Sequence, residues 1–223
     1  MSSRKCAQCG LVNFATDEVC RRCGVPLAGA GQYADAPAGE SQGVKRSVFK
    51  RALVLLGVIV FLLFIFYASL LGTSDPITFE QKQTVNKAIS ILERGGFGND
   101  AFVLSHLVNY RATDNWWNGW IGHRDAYAAT NFPFEVVTLY PEFFNDSVDD
   151  IERAAILLHE SYHLFGSGEE AALRGSWLDK RRIGWTVDKY GETKVWKSTR
   201  ELTSNLVPQL FHCGDDSRSD CHP

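Results

Sequence analysis

Apolar residues are spread unevenly along the chain, and the unevenness divides it into zones. Residues 52–71, ALVLLGVIVFLLFIFYASLL, are twenty positions without a charge. At about 1.5 Å per residue a helix of that length spans about 30 Å, the hydrocarbon thickness of a bilayer. The run predicts a single transmembrane helix. It starts some fifty residues into the chain and is too long for the apolar core of a signal peptide. Beyond it the pattern becomes that of a folded domain. Residues 80–94 are amphipathic at helical spacing and stop at Gly95-Gly96. Residues 102–110 form a second apolar stretch, helical or extended. Residues 134–140, rich in β-branched and aromatic side chains and bounded by Pro133 and Pro141, predict one strand. Residues 149–165 predict a helix with Asp149 and Asp150 at its N-terminal end, where negative charge is favoured, and Gly166-Ser167-Gly168 to stop it. Residues 169–180 predict another helix, with Leu173 and Trp177 on one face. Residues 187–195 suggest a hairpin around Gly191, and 199–210 a last helix. The class expected is α+β, a mostly helical domain with a small sheet.

Four regions follow: a cysteine module over 1–24, a linker with a basic end over 25–51, the span over 52–71 and the main domain over 72–223. The linker is rich in Gly, Ala, Pro, Gln and Ser up to residue 44. With 223 residues, 45% hydrophobic and 22% charged, the chain suits one ordinary domain plus these extras. A net charge of −3 gives no electrostatic case for a nucleic-acid partner. Lys45, Arg46, Lys50 and Arg51 precede the span, and no cation follows it closely. The positive-inside rule then expects residues 1–50 in the cytosol and 72–223 outside. Cysteine usage is consistent with that: a four-thiolate site needs a reducing compartment, whereas Cys213 and Cys221 could form an exterior disulfide or, with His212 and His222, a metal site.

The module reads Cys6-Ala7-Gln8-Cys9 and Cys20-Arg21-Arg22-Cys23, a C-x2-C-x10-C-x2-C spacing. Four thiolates so placed suit one tetrahedral zinc, with Gly10 and Gly24 where each knuckle turns. So few apolar residues cannot fold it alone, and structural zinc binding would supply about 10 kcal/mol or more. The spacing resembles a zinc ribbon, and the placement of Asn13 between the pairs resembles the Ran-binding-protein type of zinc finger. Arg4 stands where that family carries a tryptophan. The resemblance implies RNA or ubiquitin binding; the residues themselves favour a small structural or protein-docking module with a cytosolic partner.

Chemistry concentrates in His159-Glu160-Ser161-Tyr162-His163, an H-E-x-x-H sequence. On a helix the two imidazoles share a face and can hold one metal ion, while Glu160 can reach the metal's water. A catalytic zinc needs a third protein ligand. Ser167 is expected to cap the following helix with Glu170 at the capping-box position, which leaves Glu169 as the ligand in preference to Glu170. The sequence Glu169 to Ala172, E-x-x-A, resembles the second helix of gluzincin-type peptidases, and that of CAAX-prenyl proteases. Leu173 replaces the aspartate that can follow. The resemblance implies a zincin-like fold and Glu169 as third ligand. His123, Tyr140 and Tyr162 are candidates for stabilising an oxyanion; His106 lies outside any ligand spacing. The strand at 134–140 is expected beside the site, where a free edge could bind substrate backbone. The tryptophans Trp116, Trp117 and Trp120 suggest a cleft lid or a core. Intramembrane proteolysis is excluded, because the apolar run around the motif is short and its ends are charged. The expected function is a membrane-anchored zinc metallopeptidase acting on peptides or proteins, with one catalytic and one structural zinc. The alternative is an inactive zincin-like protein that works as a binding module through its ribbon.

Overall fold

A computed structural model describes residues 3–27, 42–122 and 126–211, the side chains of 42–47 excepted. His123, His212, Cys213, Cys221 and His222 lie outside the described residues. By its internal contacts the chain divides into two units, with the boundary after Gly57.

The first unit contains a two-stranded antiparallel sheet, β1 (Ser3–Lys5) with β2 (Val12–Phe14), in which Arg4 pairs with Asn13. Gly10 and Gly24 have φ of 71° and 69°, a left-handed conformation that costs glycine little. Their N–H groups bond back to the carbonyls of Cys6 and Cys20, closing the two knuckles. The long helix α1 (Gln42–Gly72) begins in this unit. Its stretch Val48–Gly72 is long and apolar enough to cross a membrane.

The second unit is mostly helical. After the end of α1 come α2 (Phe79–Arg94), α3 (Gly98–His106), β3 (Asn109–Arg111), α4 (Trp116–Ile121), β4 (Ala128–Asn131), β5 (Val136–Leu139), α5 (Pro141–Asn145), α6 (Asp150–Leu164), α7 (Glu169–Asp179), α8 (Val187–Tyr190) and α9 (Lys194–Leu206). Short 3-10 turns follow α7 and α9. The N-caps explain where several helices start. Thr78 and Gln81 form a reciprocal capping box on α2, and Asn115 and Asp149 accept from the first N–H groups of α4 and α6. The sheet order is β3-β5-β4, with β3 parallel and β4 antiparallel to β5. The strand expected at 134–140 is therefore the central one, and β4, with no sequence signal of its own, is the edge beside α6.

Three further expectations are corrected. No hairpin forms around Gly191: Thr186 and Thr193 are the N-caps of α8 and α9, and the Thr193 hydroxyl accepts from Trp196 N–H. The last helix accordingly starts at Lys194 rather than 199, and ends before Pro208, which cannot continue the ladder. Ser167 is not the cap of α7. Gly168 holds that position without a side-chain bond, and the Ser167 carbonyl turns toward His163.

The core is built around α6, whose Ala154, Ile156, Leu157, Leu158 and Leu164 are buried against α2, α3, β4 and α7. Each large aliphatic side chain there contributes about 1.5–3 kcal/mol by leaving water. Trp177, Trp185 and Trp196 form a second nucleus, with ring centroids 4.8–6.0 Å apart. The crossing of α6 and α7 is unusually close at Gly175, where a Cβ would lie 2.4 Å from the Tyr162 ring. The Tyr162 hydroxyl also donates to Asp179 at 3.0 Å, tying the far end of the same crossing. In an open helix Gly→Ala stabilises by about 1 kcal/mol. Here overpacking at about 1–3 kcal/mol outweighs that gain. Gly175→Ala is therefore expected to lower the melting temperature measured by circular dichroism, and Tyr162→Phe with Gly175→Ala, which leaves the ring clash in place, is expected not to restore it.

Candidate metal centres

In the first unit the four sulfurs of Cys6, Cys9, Cys20 and Cys23 converge within 4.8 Å of one another. The Sγ atoms of Cys6 and Cys23 are 3.6 Å apart, and those of Cys9 and Cys20 3.4 Å. Tetrahedral Zn–S bonds of about 2.3 Å place neighbouring sulfurs about 3.8 Å apart, so the cluster is slightly tighter than a loaded site and can hold a metal ion. Burial opposes ionisation of Cys20, but the backbone N–H groups of Arg22 and Cys23 outweigh it and bring the thiol down to about 6. That supplies a first thiolate near neutral pH. Asn13 is buried beside it. Its Nδ2 donates to the Leu11 carbonyl at 2.9 Å and lies 3.7 Å from Cys20 Sγ, while its Oδ1 accepts from Arg21 N–H at 3.1 Å.

The second cluster lies in the other unit. His159 and His163 are one turn apart on α6, with Nε2 atoms 3.2 Å from each other. Glu169, on the first turn of α7, straddles them: Oε1 is 3.5 Å from His159 Nε2 and Oε2 is 3.1 Å from His163 Nε2. Ligands about 2.0–2.2 Å from a tetrahedral zinc stand about 3.3–3.6 Å apart. The three donors are close to that spacing, and the N2O set suits zinc with one position left over. Glu170 is not part of this cluster. The His163 Nδ1 is 2.9 Å from the Ser167 carbonyl, which fixes a hydrogen on Nδ1 and leaves Nε2 facing Glu169 as the atom a metal would take. Glu169 raises His163 to about 9 against the opposing effect of partial burial. Burial lowers His159 despite Glu160 and Glu169 nearby.

Glu160 follows His159 on α6 and is 4% exposed. Its Oε2 accepts a hydrogen bond from Thr130 Oγ1 at 2.7 Å. Thr130 lies on β4, so the edge strand holds the carboxylate directly. Sequence reasoning missed Thr130, because its proximity arises from the β4–α6 packing and not from spacing. A cavity of about 830 Å³ opens over these groups. One side is β4 with Tyr127; the other is Ser198, Thr199, Leu202 and Asn205 of α9; and the floor carries His159, Glu160, His163 and Glu169. The volume suits a ligand of several residues or a drug-sized molecule.

Among the other candidates, Tyr140 and Tyr162 do not line this cavity, and their hydroxyls are given to Asp114 at 2.6 Å and Asp179 at 3.0 Å. Tyr127 does line it, hydrogen-bonded to Ser198 at 3.0 Å. His106 stacks on Phe102 and bonds Ser105 on exposed α3, apart from the cluster. No family model, no curated protein and no solved structure matches the chain. The account of both centres therefore stands on their geometry. For the cysteine cluster it predicts that Asn13→Ala keeps the fold of the second unit but weakens zinc binding about 10–100-fold. Competition with a chromophoric chelator, in a variant that also carries His163→Ala, measures that loss.

Proposed function

We propose that the chain is a membrane-anchored zinc metallopeptidase, with His159, His163 and Glu169 as zinc ligands and Glu160 as general base. The observation that carries this reading is the convergence of two imidazoles and a carboxylate beside a second, buried carboxylate, at the floor of a cleft along a sheet edge. A zinc ion held by His159, His163 and Glu169 would supply an activated water and polarise a scissile carbonyl. The protein's own residues do the rest. Thr130 fixes the Glu160 carboxylate in the orientation from which it accepts the water's proton and passes it to the leaving amine. The edge of β4 offers backbone groups for pairing an extended peptide, the mode by which sheet edges take up an added strand. Tyr127 is the phenol placed along the cleft to meet a developing oxyanion. The zincin-like fold belongs to the same reading.

The localisation belongs to it as well. Val48–Gly72 spans the bilayer once, the basic flank at Lys50 and Arg51 stays in the cytosol with the ribbon, and the second unit's cleft lies outside. The ribbon carries structural zinc. Its Val12 and Phe14, 60% and 61% exposed, suit docking to a cytosolic protein. That surface supports a second role as a binding module, and it stands even for a chain without turnover.

The test uses the full chain purified in detergent with zinc. Wild type is expected to hold two zinc ions and to hydrolyse members of a peptide library. Glu160→Gln is expected to keep both ions and lose about 10²–10⁴ in kcat, while Glu169→Gln retains only the ribbon zinc. Thr130→Val is expected to keep both ions and lose about 10-fold or more in kcat. A wild type that binds one zinc, or a Glu160→Gln variant with undiminished hydrolysis, refutes the reading.

A further inference from the structure

An apolar edge of the second unit is continuous with the end of α1. Phe66 on α1 packs on Trp116, Trp117 and Phe134, with ring centroids 5.5, 5.8 and 5.1 Å away. Trp117 in turn meets Trp120 at 5.4 Å. Polar bonds clamp the same junction: Tyr67 Oη accepts from Asn109 at 2.7 Å, Ser69 Oγ from Trp116 Nε1 at 2.9 Å, and Ser74 Oγ from Arg111 Nε at 2.9 Å. Arg111 also donates to the Leu71 and Ser74 carbonyls, placing a cation at the C-terminal end of the helix. Leu70 is fully buried in the junction. The C-terminal end of α1, from Phe66 on, is thus packed on the cleft-bearing domain.

That fixes the depth of the aromatic edge. Phe66 lies five residues before Leu71, the last residue of the apolar run, or about 7.5 Å along the axis. The side chains that touch it sit at the level where hydrocarbon gives way to headgroups, the zone where tryptophan is enriched. Trp120, Ile121 and Phe132 are 76%, 52% and 58% exposed. Ile121 and Phe132 line a groove of about 270 Å³ that also includes Phe66, Trp117 and Phe134, and Trp120 stands beside it against Trp117. Trp116 meets its indole N–H requirement internally at Ser69, so its ring carries no unmet donor into lipid. Phe132 belongs both to this groove and to the lining of the large cleft.

We propose that the Trp120–Ile121–Phe132 edge lies in the interfacial layer of the bilayer, and that the cleft it borders takes peptide segments tethered to the same membrane, close to where they leave it. The substrate class follows from position. A chain emerging from the bilayer meets the Phe132 end of the cleft first, whereas a diffusing peptide gains nothing from that edge. The proposal rests on the reading of α1 as a membrane span, and its substrate half also on the metallopeptidase reading.

The test uses the full chain in liposomes that contain phosphatidylcholine brominated near the headgroup end of the acyl chains. Tryptophan fluorescence of wild type is expected to be quenched, and Trp120→Phe to lose roughly a third of the quenchable signal, since the buried Trp177, Trp185 and Trp196 contribute little. Unchanged quenching in Trp120→Phe overturns the membrane face, as does a cross-link from position 120 to a second copy or another protein. In the second arm, one cleavable sequence is presented free or on a lipid anchor. Wild type is expected to prefer the anchored form about tenfold, and Trp120→Glu with Ile121→Glu to lose that preference while cleaving the free peptide at the wild-type rate. Equal cleavage of both forms by wild type overturns the substrate class. If neither form is cleaved, the peptidase reading fails, and the quenching arm alone decides the membrane face.

Discussion

The close crossing of α6 and α7 is the constraint on which the candidate catalytic centre depends. The two histidines come from one helix and the carboxylate from the next, with only a short turn between them. Glu169 reaches both imidazoles at 3.1–3.5 Å because Gly175 lets α7 lie directly on the Tyr162 ring. A larger residue at 175 would push the helices apart by a fraction of an ångström to more. Metal–ligand bonds have no such tolerance, because ligand distances must hold to within about 0.2 Å. The glycine therefore acts through packing on chemistry one and a half turns away.

Around that crossing, burial and polarity are divided in a way that suits catalysis. The face of α6 turned to α2 and α3 is largely apolar, with the buried Ser161 hydroxyl bonded to Asp100. Its other face presents His159, Glu160 and His163 to a cleft bounded by β4 and α9. Glu160 is almost fully buried, yet it is held by Thr130 and faces the cavity. The aromatic junction with the C-terminal end of α1 adds a second positional constraint, since it packs that end directly on the unit that carries the cleft.

Much of this was legible in the sequence, for a common physical reason. The cysteine spacing, the apolar run and the H-E-x-x-H pair are local patterns, in which a few residues on one knuckle or one helix bring their own side chains together, and Glu169 follows after only a short turn. What was not legible arises from contacts between distant segments. The strand β4 reads Ala-Ala-Thr-Asn, with no alternation to mark it as an edge, so the sequence points instead to the strand at 134–140, which is the central one. Thr130, Tyr127 and the α9 wall depend on that strand's placement. Tyr140 and Tyr162 were plausible as chemical types, but their hydroxyls are committed to Asp114 and Asp179. Capping was misassigned at Ser167 because the His163 ring competes successfully for its carbonyl, and hairpin chemistry at Gly191 gave way to the Thr193 cap and the burial of Trp196.

The most direct measurement of the central claim is zinc K-edge X-ray absorption on the full chain with Cys9→Ser and Cys20→Ser, which removes the sulfur-rich site from the spectrum. The account predicts a shell of nitrogen and oxygen at about 2.0–2.1 Å, the multiple scattering of two imidazoles, and no sulfur. A spectrum with fewer than two imidazoles, or a protein that retains no zinc once the ribbon is disabled, would contradict it.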